Sequence, residues 1–378
     1  MNLPLINAGP NHGKKMTHTD RMLIQGPQDN FPYHCRFERI GRKLPQHSLS
    51  TRELMANTRH HPDIQLERLT GIHQRYICSE GEDSFTLAVG AARDCLEKSA
   101  YHASDMEMLI NCSITKFKGG LSNRVEPALA HAIKNAIGAT QAISFDIGNA
   151  CAGMMTGVFI MSEFIRRGEI TCGMVVSGES ISNLSINAAK QIRFIFSKQL
   201  ASLTVGDAGV AVILERAPTN QGIAVAGFTT LAQHSRLCLG YPSTLGPGAV
   251  MFTQARTIHK VAIEDSPPLI KEALDASGLD FGDIDYVIPH QTSTRAIEKG
   301  TREISERLGI FPKNVVVTVD EFGNTASTTH FVALYKYLSE GRFKKGDNIM
   351  LISFASGLEV GVIIFTMDQL MESYGPAN

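Results

Sequence analysis

The sequence contains no tryptophan and no excess of either charge. Its 378 residues include 36 Lys and Arg against 37 Asp and Glu, which gives a formal net charge of −1. A chain with so little net charge lacks the overall field that draws proteins to nucleic acid or to an anionic membrane surface, so we expect neither partner. An anionic partner would have to be bound by a local basic patch.

Disulfide frameworks, CxxC metal patterns and long apolar runs are also missing. The seven cysteines are scattered between Cys35 and Cys238 without a regular spacing, which favours a reducing compartment. No uncharged apolar run approaches the length that spans a membrane, and the first residues do not form a basic segment followed by an apolar one. We therefore expect a cytoplasmic protein that binds no metal.

What the sequence does contain is an internal repeat of alternating strands and helices. Residues 1–34 show no periodicity and are predicted to be a loosely ordered N-terminal extension. A first half at 35–217 and a second half at 221–368 then present the same order of elements. For example, the strand predicted at 173–178 corresponds to the one at 348–354. The alternation predicts an α/β fold with mostly parallel sheets, in which the last, glycine-led strand of each half could be antiparallel.

A cysteine stands where an apolar strand of the first half turns into a helix. Residues 144–157 pass from this strand through Gly148 and Asn149 to Cys151 and into the helix. Free N–H groups and the helix dipole at a helix start favour the thiolate, so Cys151 is predicted to be a nucleophile. The alternative is a buried cysteine that behaves as a small hydrophobic residue.

The repeat predicts two polar partners for this cysteine. His290 follows the strand at 285–289, and Asn324 stands at the start of the second-half helix, at a position expected to mirror Cys151. Loops at the carboxyl ends of parallel strands converge on one crevice. A thiol, an imidazole and an amide form a coherent set of nucleophile, acid/base and hydrogen-bond donor. Taken singly, Asn324 could be only a helix cap and His290 an ordinary loop histidine.

Five short motifs resemble those of one known family. In order and spacing, they make residues 36–367 similar to β-ketoacyl-acyl carrier protein synthase III and its relatives in the thiolase superfamily. The resemblance implies a thiolase fold with five αβαβα layers and a homodimer. It also implies acyl thioester substrates, carried on coenzyme A or on the phosphopantetheine of an acyl carrier protein, and no bound cofactor. The motifs are Asn149-Ala150-Cys151-Ala152-Gly153, Val205-Gly206-Asp207-Ala208-Gly209, Pro289-His290-Gln291, Gly323-Asn324-Thr325 and Ser353-Phe354-Ala355-Ser356-Gly357-Leu358.

The resemblance also implies a role for each residue of the predicted site. Cys151 takes an acyl group from the first thioester, while His290 and Asn324 stabilise the enolate of the second. The backbone N–H groups of Cys151 and Ser356 form the oxyanion hole. Acyl transfer followed by condensation divides a difficult reaction into two steps.

Residues near the substrate entrance agree with the family only in part. Arg295 matches a family arginine at the phosphopantetheine entrance, and Val205, Met154 and Gly357 are predicted to contact the substrate. The initiating synthases have a Trp and an Arg near residues 65–69 that clamp coenzyme A, whereas this chain contains no Trp at all. This difference argues against the usual mode of coenzyme A binding, whereas the basic side chains around Arg295 could meet an acidic acyl carrier protein.

Glu126 is a second departure from the initiating synthases, which usually have an apolar residue there. A glutamate before Pro127 resembles the enzymes that join two acyl-CoA chains head to head in olefin biosynthesis. It also resembles the ketosynthase-cyclases that build dialkylresorcinols, cyclohexanediones and pyrones. The resemblance implies that Glu126 is a general base that reaches the partner subunit's acyl pocket. The alternative is a surface carboxylate favoured by a helix dipole.

These observations predict a 3-oxoacyl synthase, an acyltransferase of polyketide or fatty-acid-derived secondary metabolism. It would condense the acyl group on Cys151 with a second acyl or β-ketoacyl thioester, with or without cyclisation. Three alternatives stay open. They are a fatty-acid initiator that uses malonyl-acyl carrier protein, a thiolase-fold acyltransferase that forms esters or amides, and a non-catalytic partner subunit.

Overall fold

The computed structural model describes residues 22–26, 31–60, 63–217, 222–244 and 246–374. These residues form strands β1 (Met22–Gln25), β2 (His34–Lys43), β3 (His47–Ser50), β4 (Gln74–Ile77), β5 (Met108–Asn111), β6 (Ile143–Asp146), β7 (Cys172–Glu179), β8 (Ala208–Ala217), β9 (Ile223–Thr230), β10 (Cys238–Pro242), β11 (Ala249–Thr253), β12 (Tyr286–Pro289), β13 (Asn348–Ala355) and β14 (Glu359–Thr366).

The same residues form helices α1 (Thr51–Ala56), α2 (Leu66–Thr70), α3 (Ser84–Lys98), α4 (Leu129–Ile137), α5 (Gly153–Arg166), α6 (Asn183–Gln191), α7 (Ala255–Asp265), α8 (Pro267–Ser277), α9 (Thr294–Leu308), α10 (Val319–Phe322) and α11 (Thr329–Ser339). Local capping explains several starts. Ser50 and Glu53 form a capping box at α1, and Asp83 accepts a hydrogen bond from Thr86 N at α3. None of these helices is long and apolar enough to cross a membrane.

Two five-stranded sheets repeat one another. The first has the order β2-β8-β7-β5-β6 and the second the order β1-β9-β14-β13-β12. In each sheet a parallel pair, β5 with β7 or β12 with β13, is followed by an antiparallel strand, β8 or β14. The predicted α/β class, the duplication and the antiparallel last strand of each half are therefore confirmed.

Helices fill three layers around the two sheets. The central layer contains α5 and α11, whose apolar side chains share one core with the inner faces of both sheets. Met154, Met155, Val158 and Met161 on α5 are all fully buried, as expected for a helix that packs against a sheet on each side. Helices α3 and α4 cover the outer face of the first sheet, and α7 and α8 cover that of the second. The result is the predicted five-layered αβαβα arrangement.

The first strand differs from the sequence-based expectation. Met22–Gln25, inside the span predicted to be a loosely ordered extension, form β1 and pair antiparallel with β9, with Leu23 opposite Phe228. β1 thus adds a fifth strand to the sheet of the second half. Its four residues are too few to show a strand pattern, and its partner lies some two hundred positions away along the chain.

The strand predicted at 315–319 is also mostly absent. Only Val315 forms an isolated bridge, to Val287, and the chain then turns into α10. The cause is the side chain of Gln291, whose Oε1 accepts hydrogen bonds from the N–H groups of Thr318 (2.8 Å) and Val319 (3.2 Å). A side-chain amide thus binds backbone groups that a neighbouring strand would otherwise bind.

Candidate active site

Cys151 lies on a sharp turn between β6 and α5. Ala150 has a φ of +43°, which is uncommon for a residue with a Cβ, and Ala150–Ala152 form a 3₁₀ turn before α5 begins at Gly153. A Cβ at Gly153 would lie 2.9 Å from the carbonyl oxygen of Cys112, so only glycine fits there without a shift. The fold therefore holds the cysteine in a strained backbone conformation, as is typical of functional sites.

The second half contains the same turn at a slightly different place. Ala326 has a φ of +55°, and Ala326–Thr328 form a 3₁₀ turn before α11. Ser327, not Thr325, is therefore the structural counterpart of Cys151, and Asn324 precedes that position by three residues. The expected mirror position of Asn324 is wrong because Ala326 follows Asp320 by six residues, whereas Ala150 follows Asp146 by four.

Asn324 nevertheless lies close to the residues around Cys151, and hydrogen bonds fix its position. Its backbone N–H donates to Thr204 O (2.9 Å), and its carbonyl accepts from Gly206 N (3.0 Å). Its side-chain Oδ1 accepts a hydrogen bond from Ala326 N at 3.0 Å. Because the oxygen of the amide is engaged in this way, the Nδ2 group is the part of the side chain that can donate to a ligand.

The Cys151 side chain packs against a small apolar cluster. Val205, which is paired with Asn324 in a parallel bridge, belongs to this cluster, as do Ile181 and Leu184. Ala249 and Met251 of β11 pack against it from the other side. Met154 is part of the main core instead. An apolar wall beside a nucleophile suits an acyl chain.

The pKa of the Cys151 thiol is raised to about 12, mainly by burial and to a smaller extent by the nearby groups Cys238 and Glu179. The backbone N–H groups of Cys151 itself and of Ser356 act on the sulfur in the opposite direction. The expectation that a helix start favours the thiolate is thus wrong for this site, because desolvation outweighs the N–H groups. The same two N–H groups are those that the resemblance assigns to the oxyanion hole.

His290 lies at the carboxyl end of β12 and is only 5% exposed. Its backbone N–H donates to Ile352 O at 2.9 Å, which fixes it one strand away from the segment that leads to Ser356. Burial lowers the pKa of His290 to about 3, with a smaller contribution from the positive charge that His330 can carry. His290 is therefore uncharged near neutral pH and acts through hydrogen bonds.

Two buried titratable residues near the site were missed by the sequence analysis. Glu179, at the end of β7, accepts hydrogen bonds from Ile114 N (2.9 Å) and from the hydroxyl of Ser327. His330, in the first turn of α11, lies with its ring centroid 5.7 Å from that of His290. A carboxylate that ends an apolar strand and a histidine inside an apolar helix are the signals that could have indicated them.

The remaining predicted residues are on the surface of the single chain. Glu126 is exposed on the loop between β5 and α4, beside Val125, which is 86% exposed. Arg295 is exposed in the first turn of α9, and Ser293 caps this helix by accepting a hydrogen bond from Ala296 N. Gly357 has a φ of +142°, a conformation that essentially only glycine adopts.

Comparison with known proteins finds similarity to condensing enzymes in both halves of the chain. Residues 145–233 match the family profile described as 3-oxoacyl-(acyl-carrier-protein) synthase III, and residues 274–367 match the profile of its C-terminal part. A β-ketoacyl-(acyl-carrier-protein) synthase III of Rhizobium meliloti is 29% identical over 332 residues, which cover 86% of this chain and 97% of that protein. One from Symbiobacterium thermophilum is 29% identical over 338 residues, covering 86% and 95%.

Solved structures share the fold. A crystal structure of Xanthomonas campestris OleA superposes with a TM-score of 0.76 at 23% identity and covers 89% of this chain and 97% of its own. The 3-oxoacyl-(acyl-carrier-protein) synthase III of Aquifex aeolicus gives a TM-score of 0.74 at 23% identity, covering 88% and 100%. The two halves of the chain are thus similar to 3-oxoacyl-(acyl-carrier-protein) synthase III, a condensing acyltransferase, and the duplicated five-layered fold is shared with the solved structures.

Proposed function

We propose that this enzyme joins two acyl thioesters by Claisen condensation, with Cys151 as the acyl carrier and Glu126 of the partner subunit as the base. The observation that carries the proposal is the setting of Cys151. Its sulfur lies against the N–H groups of Cys151 and Ser356 and beside an apolar cluster. This setting suits an acyl group whose carbonyl oxygen becomes negatively charged during transfer.

In the first half-reaction, the Cys151 sulfur attacks the carbonyl carbon of the first thioester. The new bond is Sγ–C, and the bond from carbon to the carrier's sulfur breaks. The thiol proton leaves with the departing carrier thiol. The oxyanion of the intermediate accepts hydrogen bonds from the N–H groups of Cys151 and Ser356.

In the second half-reaction, Glu126 takes a proton from the carbon next to the carbonyl of the second thioester. The enolate oxygen accepts hydrogen bonds from His290 Nε2 and Asn324 Nδ2. The α-carbon then attacks the acyl group on Cys151, so that a C–C bond forms and the Sγ–C bond breaks. The cysteine thiolate regains a proton, and Glu126 returns its own to solvent. An uncharged His290 and a fixed Asn324 are well suited to such a role in a site shielded from water.

A homodimer is part of this proposal because Glu126 is exposed in the single chain. β6 is the outer strand of the first sheet, and Ile143 on it is 62% exposed. Helix α4, which follows the Glu126 loop, packs on β6. Pairing of β6 with its copy would cover this open edge and bring the loop of each subunit next to the other.

The surface around α9 favours an acyl carrier protein as the donor. Arg295, Lys299 and Arg302 are exposed on α9, and Lys260 is exposed on α7. The two helices are joined by a hydrogen bond between His259 Nε2 and Ala296 O at 3.0 Å. Such a basic patch is complementary to an acidic protein. Since an OleA structure is described with bound lauric acid and lauroyl-CoA, medium-to-long acyl chains on either carrier are the substrates to test.

Mixed dimers test the assignment of Glu126. A Glu126→Ala subunit and a Cys151→Ala subunit are each expected to be inactive as homodimers. Mixed together, they form one intact site per heterodimer, so we expect about a quarter of the wild-type condensation activity when exchange is random. Intact-mass analysis first confirms that the Glu126→Ala subunit is acylated on Cys151. No gain in activity in the mixture contradicts a base delivered across the interface.

The second candidate is a fatty-acid initiator that uses malonyl-acyl carrier protein. The observation in its favour is that relatives 29% identical are named β-ketoacyl-(acyl-carrier-protein) synthase III. Decarboxylation of malonate creates the carbanion without a base, so this activity should survive Glu126→Ala. The two candidates are distinguished by product analysis with malonyl and with simple acyl donors, together with measurement of the carbon dioxide released.

A further inference from the structure

His330 lies behind His290 and binds the same strand. The Nε2 atom of His330 is 2.9 Å from Ile352 O, and the backbone N–H of His290 is also 2.9 Å from this oxygen. A carbonyl oxygen accepts and never donates, so the proton of an uncharged His330 must be on Nε2. The Nδ1 atom of His330 is consequently a lone-pair acceptor.

Several buried polar atoms at the two histidines make no hydrogen bond to the described residues. Nδ1 of His290 and Nδ1 of His330 are both buried and make no hydrogen bond to the described residues. The two rings are 5.7 Å apart and inclined by 36°. Thr329 Oγ1 and Ser353 Oγ, next in sequence to His330 and Ile352, are buried and unpaired as well. Buried polar groups in proteins are almost always paired, often through an internal water molecule with two to four partners.

We propose that His330 is a positioning residue for His290, and that one internal water molecule donates its two hydrogens to the Nδ1 atoms of the two rings. The hydroxyls of Thr329 and Ser353 can donate to the oxygen of the same water. A nitrogen that accepts a hydrogen bond carries no proton, so this arrangement keeps His290 in the tautomer with its proton on Nε2.

The tautomer matters for the condensation, and this inference rests on the proposed function. Only the Nε2–H form of His290 can donate to the enolate oxygen of the second thioester. The Nδ1–H form would present a lone pair there and repel the developing negative charge. His330 should therefore affect the second half-reaction and leave acylation of Cys151 nearly unchanged.

The experiment compares His330→Leu with His330→Asn. Leucine keeps the bulk but removes the acceptor, whereas asparagine can donate to Ile352 O and accept from the water. We expect His330→Leu to lower the rate of condensation relative to acylation about tenfold or more. This loss is smaller than the 10²–10³-fold cost that is typical of deleting such a donor outright. His330→Asn should restore most of the lost rate. Tyr286→Phe is the control, since it removes a hydrogen bond from a side chain to a backbone carbonyl away from the site (Oη to Arg342 O, 3.0 Å) and should not change the ratio.

Nuclear magnetic resonance of histidine-labelled enzyme reads the tautomer directly. Resonances of His290 are assigned by comparison with His290→Asn, and we expect the proton on Nε2 in the wild type and a mixture of tautomers in His330→Leu. A proton on Nδ1 in the wild type overturns the proposal. So does an equal loss of both half-reactions in His330→Leu with an unchanged tautomer, since that result indicates only a packing role.

Two further outcomes distinguish a failure of the proposal for His330 from a failure of the proposed function. If His330→Leu does not fold, the wild-type tautomer and a water peak between the two rings in a high-resolution crystal structure decide the question. If the wild type condenses no thioester, the proposed function fails, whereas the tautomer and the water are still measured on the same enzyme.

Discussion

Glu179 accepts a hydrogen bond from Ser327. Ser327 occupies in the second half the position that Cys151 occupies in the first. The carboxylate also accepts from the N–H groups of Ile114 (2.9 Å) and Thr115 (3.3 Å). It therefore ties the loop that leads toward Glu126 to the turn that follows Asn324. One buried side chain connects the two halves directly behind the candidate active site.

The raised pKa of Glu179 predicts that the stability of the folded protein depends on pH. Burial raises its pKa from 4.5 to about 7, so between these values the unfolded chain releases a proton that the folded protein retains. Its contribution to stability therefore falls as the pH rises through this range, by about 3 kcal/mol in total. Glu179→Gln does not titrate. We expect the free energy of unfolding of the wild type, measured in urea relative to that of the variant, to fall from pH 4.5 to pH 8, and a pH-independent difference would contradict this.

The raised pKa of the Cys151 thiol predicts slow alkylation, with a rate that increases with pH. With a pKa of about 12, its thiolate fraction rises about tenfold per pH unit across the neutral range. The rate of modification by iodoacetamide, followed by mass spectrometry of the peptide, should increase steadily from pH 6 to pH 9. The Cys151→Ala variant shows how much of the total reaction comes from Cys78 and Cys238, which are also partly accessible. A plateau below pH 8 would indicate an activated thiolate instead.

The role proposed for Asn324 predicts that its substitution affects condensation more than simple acyl transfer. Asn324→Asp keeps an oxygen for Ala326 N but removes the Nδ2–H donor. For condensation we expect a loss of about 10²–10³ in kcat, with acylation of Cys151 little changed. If the enzyme instead makes esters or amides, with His290 activating a hydroxyl or amine, transfer to such acceptors should tolerate the change. Assays with both kinds of acceptor compare the two.

The proposed pairing of β6 with its copy predicts a variant that separates the subunits. Ile143→Glu places a carboxylate on the exposed edge strand, where two copies would face each other across a twofold axis. We expect light scattering to show a monomer whose Cys151 still accepts an acyl group but whose condensation is lost. Ile310→Glu, at an exposed apolar position just after α9, is the control. A dimer that persists in Ile143→Glu argues against β6 as the interface.

Features encoded by neighbouring residues could be predicted from the sequence. The alternation of strands and helices in both halves depends on short spacings, and the structure shows it at nearly the predicted places. The candidate residues Cys151, His290 and Asn324 stood out because each follows a strand or begins a helix. Their proposed roles are tested by the experiments above.

Features that depend on distant contacts could not be predicted. The thiol pKa of Cys151 reflects how much of the folded protein surrounds the sulfur, and this burial outweighs the local effect of the turn. The loss of a strand at 315–319 depends on the Gln291 side chain, which is far away in sequence. A histidine within an apolar helix is visible in the sequence, but only the fold shows that the ring of His330 lies beside that of His290.

The pairing of β1 with β9 has a consequence for any attempt to divide this protein. A fragment that begins after residue 221 would contain most of the second sheet, yet β9 would have no neighbour on its outer side. Its unsatisfied backbone groups would invite other chains to add strands. β1, which precedes both halves in the sequence, thus covers the β9 edge of the second sheet, so a fragment without β1 is expected to aggregate more readily than the full chain.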